Sequence, residues 1–293
     1  MQATLIVNPR ASTVRRETLA LVEAELGRAG PVTVVETRQP LHGVELARAA
    51  RSDAVVVYGG DGLLNEVVNG VDGAVPVGII PGGGKNVVAR ALGVPTDPVE
   101  AARGLARPAM RRIALGRVNG RRFVFAAGIG FDAELVRRVD ALGRRPDGRR
   151  PGDVAFIREA VKLLAAHRGR YEPELEIDGH GRAAFALVAN GDPYSYVGSR
   201  PLRVAPEARF ELGLDLVAPR RVTPRAIPRL LAYALGGHGQ REAADVLVAH
   251  DLDRIAIRSE RPLPLQADGE DLGDVTEAVF EAERDAISVL VPG

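Results

Sequence analysis

A group of glycines around one aspartate is the first feature of this sequence with chemical potential. Residues 54–58 form an apolar run, and Gly59, Gly60, Asp61 and Gly62 follow it directly before a segment with helical periodicity. Glycines let backbone amides approach a phosphate closely, and the start of a helix adds positive potential. The alternative is a strand-to-helix turn in which the aspartate caps the helix. This segment alone leaves the two interpretations evenly balanced.

A second glycine loop favours the phosphate site. Residues 75–80 form another apolar run, and Gly82, Gly83, Gly84, Lys85 and Asn86 follow Pro81 before another helical segment. Two such loops after neighbouring parallel strands meet at the carboxyl edge of a sheet, where open α/β folds bind ligands. Lys85 either contributes a point charge to a phosphate or stays solvated, and Asn86 either caps the helix or binds the nucleotide. Neither loop has Walker A or Rossmann spacing.

Asp268, Gly269 and Glu270 form an acidic segment far along the sequence. A hydroxyl group has a high pKa and is a poor nucleophile unless a nearby base accepts its proton, and a carboxylate can do so. Phosphoryl transfer also needs charge neutralisation, which predicts Asp61 and Asp268 as ligands of a metal ion or of its water shell. The alternative is an exposed acidic turn, and these residues alone favour that alternative.

The elements that position these residues change character near residue 107. Before it, apolar runs alternate with helical segments, which predicts a doubly wound, mostly parallel α/β sheet. After it, short strands dominate, starting with a hairpin around Asn119-Gly120. We therefore expect an α/β domain over residues 1–112 and a domain rich in antiparallel strands over residues 113–293, with the last residues packing back on the first domain.

Two segments of the second half are basic. Residues 143–152 contain four arginines with glycine and proline, which predicts a loop. A later segment is amphipathic and either covers a sheet or docks on anionic lipid; its residues are Arg225, Arg229, Leu230, Leu231, Tyr233 and Leu235.

Composition excludes several classes of protein. The sequence has no cysteine, so disulfides, thiolate metal sites and cysteine nucleophiles are excluded. The net charge of +1 gives no indication of nucleic-acid binding. No apolar run approaches the roughly 20 residues that cross a bilayer, and we expect a cytoplasmic protein that contacts the inner face of the membrane only at its surface.

Five motifs resemble, in order and spacing, the catalytic family of the diacylglycerol kinases. They are IVNPRAS (6–12), GGDGLLNEVVNG (59–70), PGGGKNVVARALGVP (81–95), AAGIGFDAELVRRV (126–139) and ADGED (267–271). The resemblance covers nearly the whole sequence. It implies an N-terminal α/β domain that binds ATP with Mg²⁺ and a C-terminal β-sandwich-like domain that binds lipid.

The resemblance also implies roles for individual residues. Glu270 takes the position of the family's general base, with Asp268 and Asp61 beside the reaction. The residues implied in binding the nucleotide are Asn8, Pro9, Gly59, Gly60, Gly62, Asn65, Glu66, Gly83, Gly84, Lys85, Asn86 and Arg90. The family's structural magnesium loop is matched only in part, by Glu211 and Asp215.

The predicted function is transfer of the γ-phosphate of ATP to the hydroxyl of diacylglycerol or a similar lipid. Leu63 replaces the threonine that usually follows the first glycine loop, and Gly84 and Lys85 depart from the second. These changes favour, as one alternative, a diverged lipid-binding protein with weak catalysis. A second alternative is a kinase with a soluble acceptor, as in NAD kinase. The expected partners are a lipid at the membrane surface and a second copy in a homodimer, with no nucleic acid.

Overall fold

The computed structural model describes residues 1–143 and 151–293. Most of the basic loop predicted over residues 143–152 therefore lies outside the described residues. The chain divides into two compact units, of which unit 1 comprises Met1–Leu115 with Arg284–Gly293 and unit 2 comprises Gly116–Glu283. The functional assignment of residues 1–112 to a nucleotide and of residues 113–293 to a lipid stays a prediction.

Unit 1 is built on a parallel sheet. Its first elements are β1 (Ala3–Val7), α1 (Arg16–Gly27), β2 (Val32–Glu36), α2 (His42–Ala49), β3 (Ala54–Gly59), α3 (Asp61–Val68), β4 (Val77–Pro81), α4 (Val87–Ala91) and α5 (Pro98–Gly104). The strand order is β2-β1-β3-β4, and every pair is parallel. All residues of β1, β3 and β4 are buried, as expected for parallel strands covered on both faces.

Unit 2 is mostly antiparallel. Its elements begin with β5 (Pro108–Val118), which starts in unit 1, and continue with β6 (Arg121–Phe123), β7 (Ala126–Ile129), α6 (Phe131–Ala141), α7 (Asp153–Ala166), β8 (Leu175–Ile177), β9 (Gly181–Ala183), β10 (Ala186–Ala189), β11 (Ser195–Val197), β12 (Arg200–Leu202), β13 (Leu214–Pro219), α8 (Ile227–Gly236), β14 (Val246–Leu252), β15 (Arg254–Ala267) and β16 (Glu270–Pro292). The order β14-β13-β10-β7-β15-β16 joins antiparallel neighbours around an aliphatic core that contains Phe123 and Phe280.

The predicted hairpin around Asn119-Gly120 is present. β5 pairs with β6, and Asn119 and Gly120 have φ angles of 47° and 88°, the left-handed pair that a two-residue hairpin turn needs. The predicted fold class, an α/β region followed by an antiparallel β-rich region, is confirmed.

The strand β16 belongs to both units by sequence. Its first part pairs with β15 in unit 2, from Ala267 opposite Glu270 to Arg254 opposite Glu281. Its last part lies in unit 1, where Val289 and Leu290 pair in parallel with Val77 and Gly78 of β4. The sequence pattern over residues 275–280 and 286–291 predicts two separate strands, and both segments belong to this one long strand.

Among the residues that the structure describes, no helix combines the length and the apolar character needed to cross a bilayer.

Candidate functional site

Three loops of unit 1 meet at the carboxyl edge of its parallel sheet. They follow β1, β3 and β4, whose ends lie side by side because Val7 is opposite Tyr58 and Gly59 is opposite Pro81. The amide of Gly82 donates to the carbonyl of Gly59 at 2.7 Å, and the amide of Thr13 donates to the carbonyl of Gly82 at 3.1 Å. Backbone hydrogen bonds therefore join the three loops.

Glycine is required where the loop after β3 touches the loop after β4. A Cβ atom added to Gly83 would lie 2.6 Å from the Cα of Gly60, and one added to Gly82 would lie 3.0 Å from the Cα of Gly59. Real Cβ atoms do not come this close to a backbone, so any side chain here would push the loops apart. The sequence thus folds into a surface of backbone rather than of side chains, which suits close approach to a phosphate.

Asp61 links the two glycine loops. It is the first residue of α3, and its Oδ1 accepts the amide of Val88 at the start of α4, at 3.2 Å. Burial raises the pKa of this half-buried carboxyl group, and hydrogen bonds from backbone amides near Val87 and Val88 oppose the rise. Asp61 therefore stabilises the start of α4, a role that the sequence did not indicate.

Asn86 braces the second glycine loop. Its Oδ1 accepts the amide of Gly83 at 2.9 Å, and its Nδ2 donates to the carbonyl of Gly83 at 2.8 Å. Its backbone has a φ of 49°, and its side chain makes no hydrogen bond that caps α4. The sequence left open two roles for Asn86, helix capping and nucleotide binding. The structure excludes capping of α4 by its side chain.

Glu66 points away from the glycine loops and holds α2. Its Oε1 accepts the amide of Leu41 at 3.0 Å and its Oε2 accepts the amide of Gly43 at 2.8 Å. These amides at the start of α2 have no partner within the helix, so the carboxylate supplies them with one. The neighbouring Asn65 is buried, and its side chain and carbonyl both accept from Asn69.

The remaining predicted nucleotide residues lie around the same edge. The amide of Asn8 donates to the carbonyl of Tyr58 at 3.1 Å, which places Asn8 beside Gly59. Pro9 and Gly84 are exposed, and the residues of intermediate exposure are Gly62, Lys85 and Arg90.

The buried side chains of Leu63 and Ser12 near this edge bear on how the site departs from the expected motifs. Leu63 is buried, with its side chain 2.8 Å from the position that a Cβ of Gly59 would take, so it packs in the core. The Oγ of Ser12 is buried without a hydrogen-bond partner, 3.9 Å from the Cβ position of Gly84. Burying a hydroxyl without a hydrogen-bond partner costs free energy. A phosphate oxygen held at the loop after β4 would supply that partner.

Asp268 is held by backbone amides in unit 2. Its carboxylate accepts from Val124 at 2.6 Å, Phe125 at 3.0 Å and Ala126 at 3.2 Å, and the side chain is buried. These amides belong to the connection between β6 and β7 and to the first residue of β7. The arrangement braces that connection and leaves the turn beyond Asp268 fixed in place.

Glu270 stands at the start of β16, directly after the turn made by Asp268 and Gly269. Both turn residues have positive φ angles, 49° and 77°, and Ala267 pairs with Glu270 across the turn. The carboxylate of Glu270 forms an ion pair with Arg121, and each of the two side chains is about a third exposed. Glu270 therefore keeps access to solvent, while Asp268 does not.

A buried hydrogen-bonded chain lies behind this turn. The Oε1 of Gln266 accepts the amide of Gly269 at 2.9 Å, and its Nε2 donates to the Oδ2 of Asp132 at 2.6 Å. The hydroxyl of Tyr194 donates to the Oδ1 of the same aspartate. Burial raises the pKa of Asp132 and that of Tyr194. The chain Tyr194–Asp132–Gln266 thus fixes the backbone one residue before Glu270.

The predicted second metal pair, Glu211 and Asp215, lies apart from this turn. Asp215 is on β13, which β10 and β7 separate from β15. Its carboxylate contacts His250 Nδ1 at 2.8 and 3.0 Å and accepts the amide of Asp251 at 3.1 Å. Within residues 1–143 and 151–293, no three His, Cys, Asp or Glu side chains are grouped as a metal site would need. Asp215 thus forms a hydrogen-bonded pair with His250, and the metal site at Glu211 and Asp215 stays a prediction.

Sequence reasoning missed the roles of Arg121, Gln266 and Asp132. Asp132 and Gln266 are 134 positions apart, so no local pattern connects them. The only local signal was their position inside or beside the motifs at residues 126–139 and 267–271.

The glycine-rich edge on a parallel sheet and the antiparallel second unit agree with the family that the sequence matches. Residues 2–118 match the diacylglycerol kinase catalytic domain, and residues 126–291 match the YegS C-terminal NAD kinase beta sandwich-like domain. The chain belongs to this family of lipid kinases. The expected β-sandwich-like character of the second half is confirmed with it.

Several known proteins are similar over most of their length. The diacylglycerol kinase of Bacillus subtilis is 28% identical over 286 residues, which cover 92% of this chain and 89% of that protein. A probable lipid kinase, YegS-like, of Chromohalobacter salexigens is 30% identical over 238 residues, 78% of this chain and 74% of that protein. The crystal structure of a putative diacylglycerol kinase from Bacillus anthracis has the same fold, with a TM-score of 0.76 at 22% identity, covering 99% of this chain and 96% of that one.

Proposed function

We propose that this protein is an ATP-dependent lipid kinase that transfers the γ-phosphate to the hydroxyl of diacylglycerol or a similar lipid. The observation that carries the proposal is the glycine-lined edge of unit 1, where Gly60 and Gly83 approach so closely that Gly83 has no room for a side chain. The names of the relatives support a lipid acceptor, and diacylglycerol is the leading candidate because two of those names specify it.

The residues at this edge fit a nucleoside triphosphate. Backbone amides after β3 and β4 can approach its phosphates, and the buried hydroxyl of Ser12 lacks the partner that a phosphate oxygen would provide. Lys85 would contribute positive charge. Mg²⁺ that accompanies the nucleotide would neutralise phosphate charge, with Asp61 as the nearest predicted carboxylate. Asn86 positions the second glycine loop and Glu66 the start of α2, and neither is assigned a contact with the nucleotide.

Glu270 is the proposed general base. It accepts the proton of the lipid hydroxyl while the hydroxyl oxygen bonds to the γ-phosphorus and the bond from that phosphorus to the β-phosphate oxygen breaks. ADP leaves with the bridging oxygen. Arg121 holds the Glu270 carboxylate through its ion pair, and Asp268 holds the turn through its three amides. We therefore assign Asp268 a positioning role and no direct contact with a metal ion.

The test of the proposed function is a transfer assay with Glu270→Gln. We expect this variant to bind ATP as the unchanged protein does and to lose transfer by a factor of about 10² or more, because a general base typically contributes 10²–10⁴. The matched control is Glu277→Gln, the same change on the same strand at an exposed residue that pairs with Arg258. Unchanged turnover in Glu270→Gln would remove this residue from the mechanism.

The acceptor is identified by parallel assays. Phosphate transfer from labelled ATP is measured to diacylglycerol, to a sphingoid base and to NAD under the same conditions. Labelled diacylglycerol supports the proposal, whereas labelled NAD assigns a soluble acceptor. Absence of all transfer together with absence of ATP binding by calorimetry would indicate a diverged lipid-binding protein. Light scattering tests the predicted homodimer in the same samples.

A further inference from the structure

Arg121 contacts the proposed general base directly. Its guanidinium forms an ion pair with the carboxylate of Glu270, and the two side chains are 30% and 33% exposed. Both residues belong to unit 2. An ion pair that is this open to solvent contributes little to stability, because water and salt screen the attraction. A role in the reaction therefore explains this arginine better than a role in holding the fold.

The hairpin that carries Arg121 is anchored to the strand of the proposed base. Arg121 follows the Asn119-Gly120 turn and begins β6. The side chain of Asn119 accepts the amide of Val279 at 3.0 Å and donates to the carbonyl of Glu277 at 3.1 Å. These bonds tie the turn to β16, which begins at Glu270. The backbone of Arg121 is therefore held beside β16, while its long side chain can exchange one partner for another.

The neighbouring arginines have a different acidic partner. Arg117 and Arg122 both form ion pairs with Glu283, which is 20% exposed. Arg122 directly follows Arg121 in β6, so the two side chains point to opposite faces of the strand. Of these three arginines, Arg121 is thus the one paired with the group that changes charge in the proposed reaction.

We propose that Arg121 is a catalytic residue that passes from Glu270 to the transferred phosphoryl group. The inference deepens the proposed function and rests on it. As the lipid oxygen bonds to the γ-phosphorus and the bond from that phosphorus to the β-phosphate oxygen breaks, the hydroxyl proton moves to Glu270. The carboxyl group is then neutral and attracts the guanidinium less. The oxygen that lost the proton now carries a phosphate, whose oxygens accept paired hydrogen bonds from arginine.

The same exchange resets the site after each transfer. The side chain of Glu270 is a third exposed, so its proton can pass to water and the carboxylate becomes charged again. A charged Glu270 repels the phosphate of the product and attracts Arg121. The ion pair therefore competes with the product, and loss of the proton favours product release.

Calorimetry of product binding tests the exchange without catalysis. The probe is dioctanoyl phosphatidic acid at about pH 8, where its phosphate is a dianion because the second pKa is about 6. We expect Arg121→Gln to bind it at least about tenfold more weakly than the unchanged protein, because charge-assisted hydrogen bonds are lost. Arg121→Lys, which keeps the charge without the planar fork, should bind with intermediate affinity. The matched control is Arg122→Gln, the next arginine on the strand, which should bind normally. Circular dichroism confirms that the variants fold.

A double variant tests whether the two partners exchange. Glu270→Gln imitates the protonated base, so Arg121 is available to the phosphate. We expect Glu270→Gln to bind phosphatidic acid more tightly than the unchanged protein, and we expect Arg121→Gln to weaken binding by a larger factor in that background. An equal factor in both backgrounds would contradict the exchange. Equal binding by Arg121→Gln and the unchanged protein, or no binding by the unchanged protein, would overturn the proposal.

Failure of this inference and failure of the proposed function have different signatures. With diacylglycerol as the acceptor, we expect Arg121→Gln to lower kcat about tenfold or more and to leave ATP binding unchanged. A fall in kcat with normal affinity for phosphatidic acid would make Arg121 a positioning residue for Glu270, which contradicts the exchange and leaves the lipid kinase standing. If Arg121→Gln weakens phosphatidic acid binding but the unchanged protein transfers phosphate to no lipid, the proposed function and the transfer role of Arg121 are both wrong.

Discussion

The glycine edge of unit 1 and the acidic turn of unit 2 are built in opposite ways. The edge consists of backbone, joined by amide–carbonyl bonds such as that between Gly82 and Gly59, with the loops in direct contact. The turn depends on the side chains of Gln266 and Asp268 and on that of Asp132, which lies 134 positions before Gln266. A surface of backbone is sensitive to any added atom, whereas a network of side chains is sensitive to the loss of one. The two regions should therefore respond to different substitutions.

Gly83→Ala is expected to have the largest effect. Its Cβ would lie 2.6 Å from the Cα of Gly60, so the two loops must separate. A displacement of about 1 Å in a site of this kind can cost roughly 10²-fold in rate, and we expect that loss in kcat/KM together with weaker ATP binding by calorimetry. The control is Gly27→Ala, where an added Cβ meets nothing within 4 Å. Normal ATP affinity in Gly83→Ala would show that the edge does not bind phosphates.

Asp268→Asn should destabilise the fold of unit 2. The charged carboxylate accepts three buried amides, and hydrogen bonds to charged groups contribute about 1.5–3 kcal/mol. We expect a loss of about 2 kcal/mol in the free energy of unfolding, measured by urea denaturation. Asp274→Asn is the control, because this half-exposed aspartate forms only a surface ion pair with Arg137. An equal shift in both variants would contradict the bracing role.

Gln266→Ala should affect catalysis more than binding. The variant frees the amide of Gly269, one residue before Glu270, and leaves the Asp132 carboxylate without one partner. We expect kcat to fall about tenfold, or about 1.4 kcal/mol, while KM for ATP is unchanged. Tyr194→Phe, which removes the more distant hydrogen bond, should have a smaller effect. A fall in melting temperature with no change in kcat would make the chain of hydrogen bonds purely structural.

The smallest expected effect is that of magnesium without nucleotide. Asp215 is already bonded to His250 and to the amide of Asp251, so we expect added Mg²⁺ or a chelator to leave the melting temperature unchanged. A metal site filled at a hundred times its Kd would instead stabilise the protein by about 2.7 kcal/mol. A clear rise in melting temperature with Mg²⁺ alone would support the metal site predicted at Glu211 and Asp215.

Much of the fold could be predicted because its signals are local. The apolar runs at residues 3–7 and 32–36 predict strands with the same bounds as β1 and β2, and the Asn119-Gly120 turn forms where the sequence predicts it. Helical periodicity in the sequence starts at Ser12, but helix α1 begins at Arg16, since Thr13 is hydrogen-bonded to Gly82 in the second glycine loop.

The elements that were missed or misplaced had weaker or competing signals. Helix α5 was missed, although Asp97 caps it by accepting the amides of Val99 and Glu100 and Pro98 follows at its first position. The pattern over residues 209–217 predicts a strand, but β13 begins only at Leu214. The pattern over residues 183–189 predicts one strand, but the segment is divided between β9 and β10.

The glycine edge was easier to predict from the sequence than the acidic turn, because its signals are local. Glycine loops are visible in sequence, because each glycine reports a local need for space. The partners of Glu270 and Asp268 were not visible, since Arg121 lies 149 positions from Glu270 and Val124 lies 144 positions from Asp268. Only the folded sheet brings such residues together.

The strand β16 has a consequence for how the chain is synthesised. The strand β4 of unit 1 is complete early, but its neighbours Val289 and Leu290 are added only after all of unit 2. At elongation rates of about 5–20 residues per second, β4 would wait for roughly ten to forty seconds with an open edge. An unpaired edge can recruit other strands. On the ribosome, therefore, the first unit to emerge is the last to finish folding.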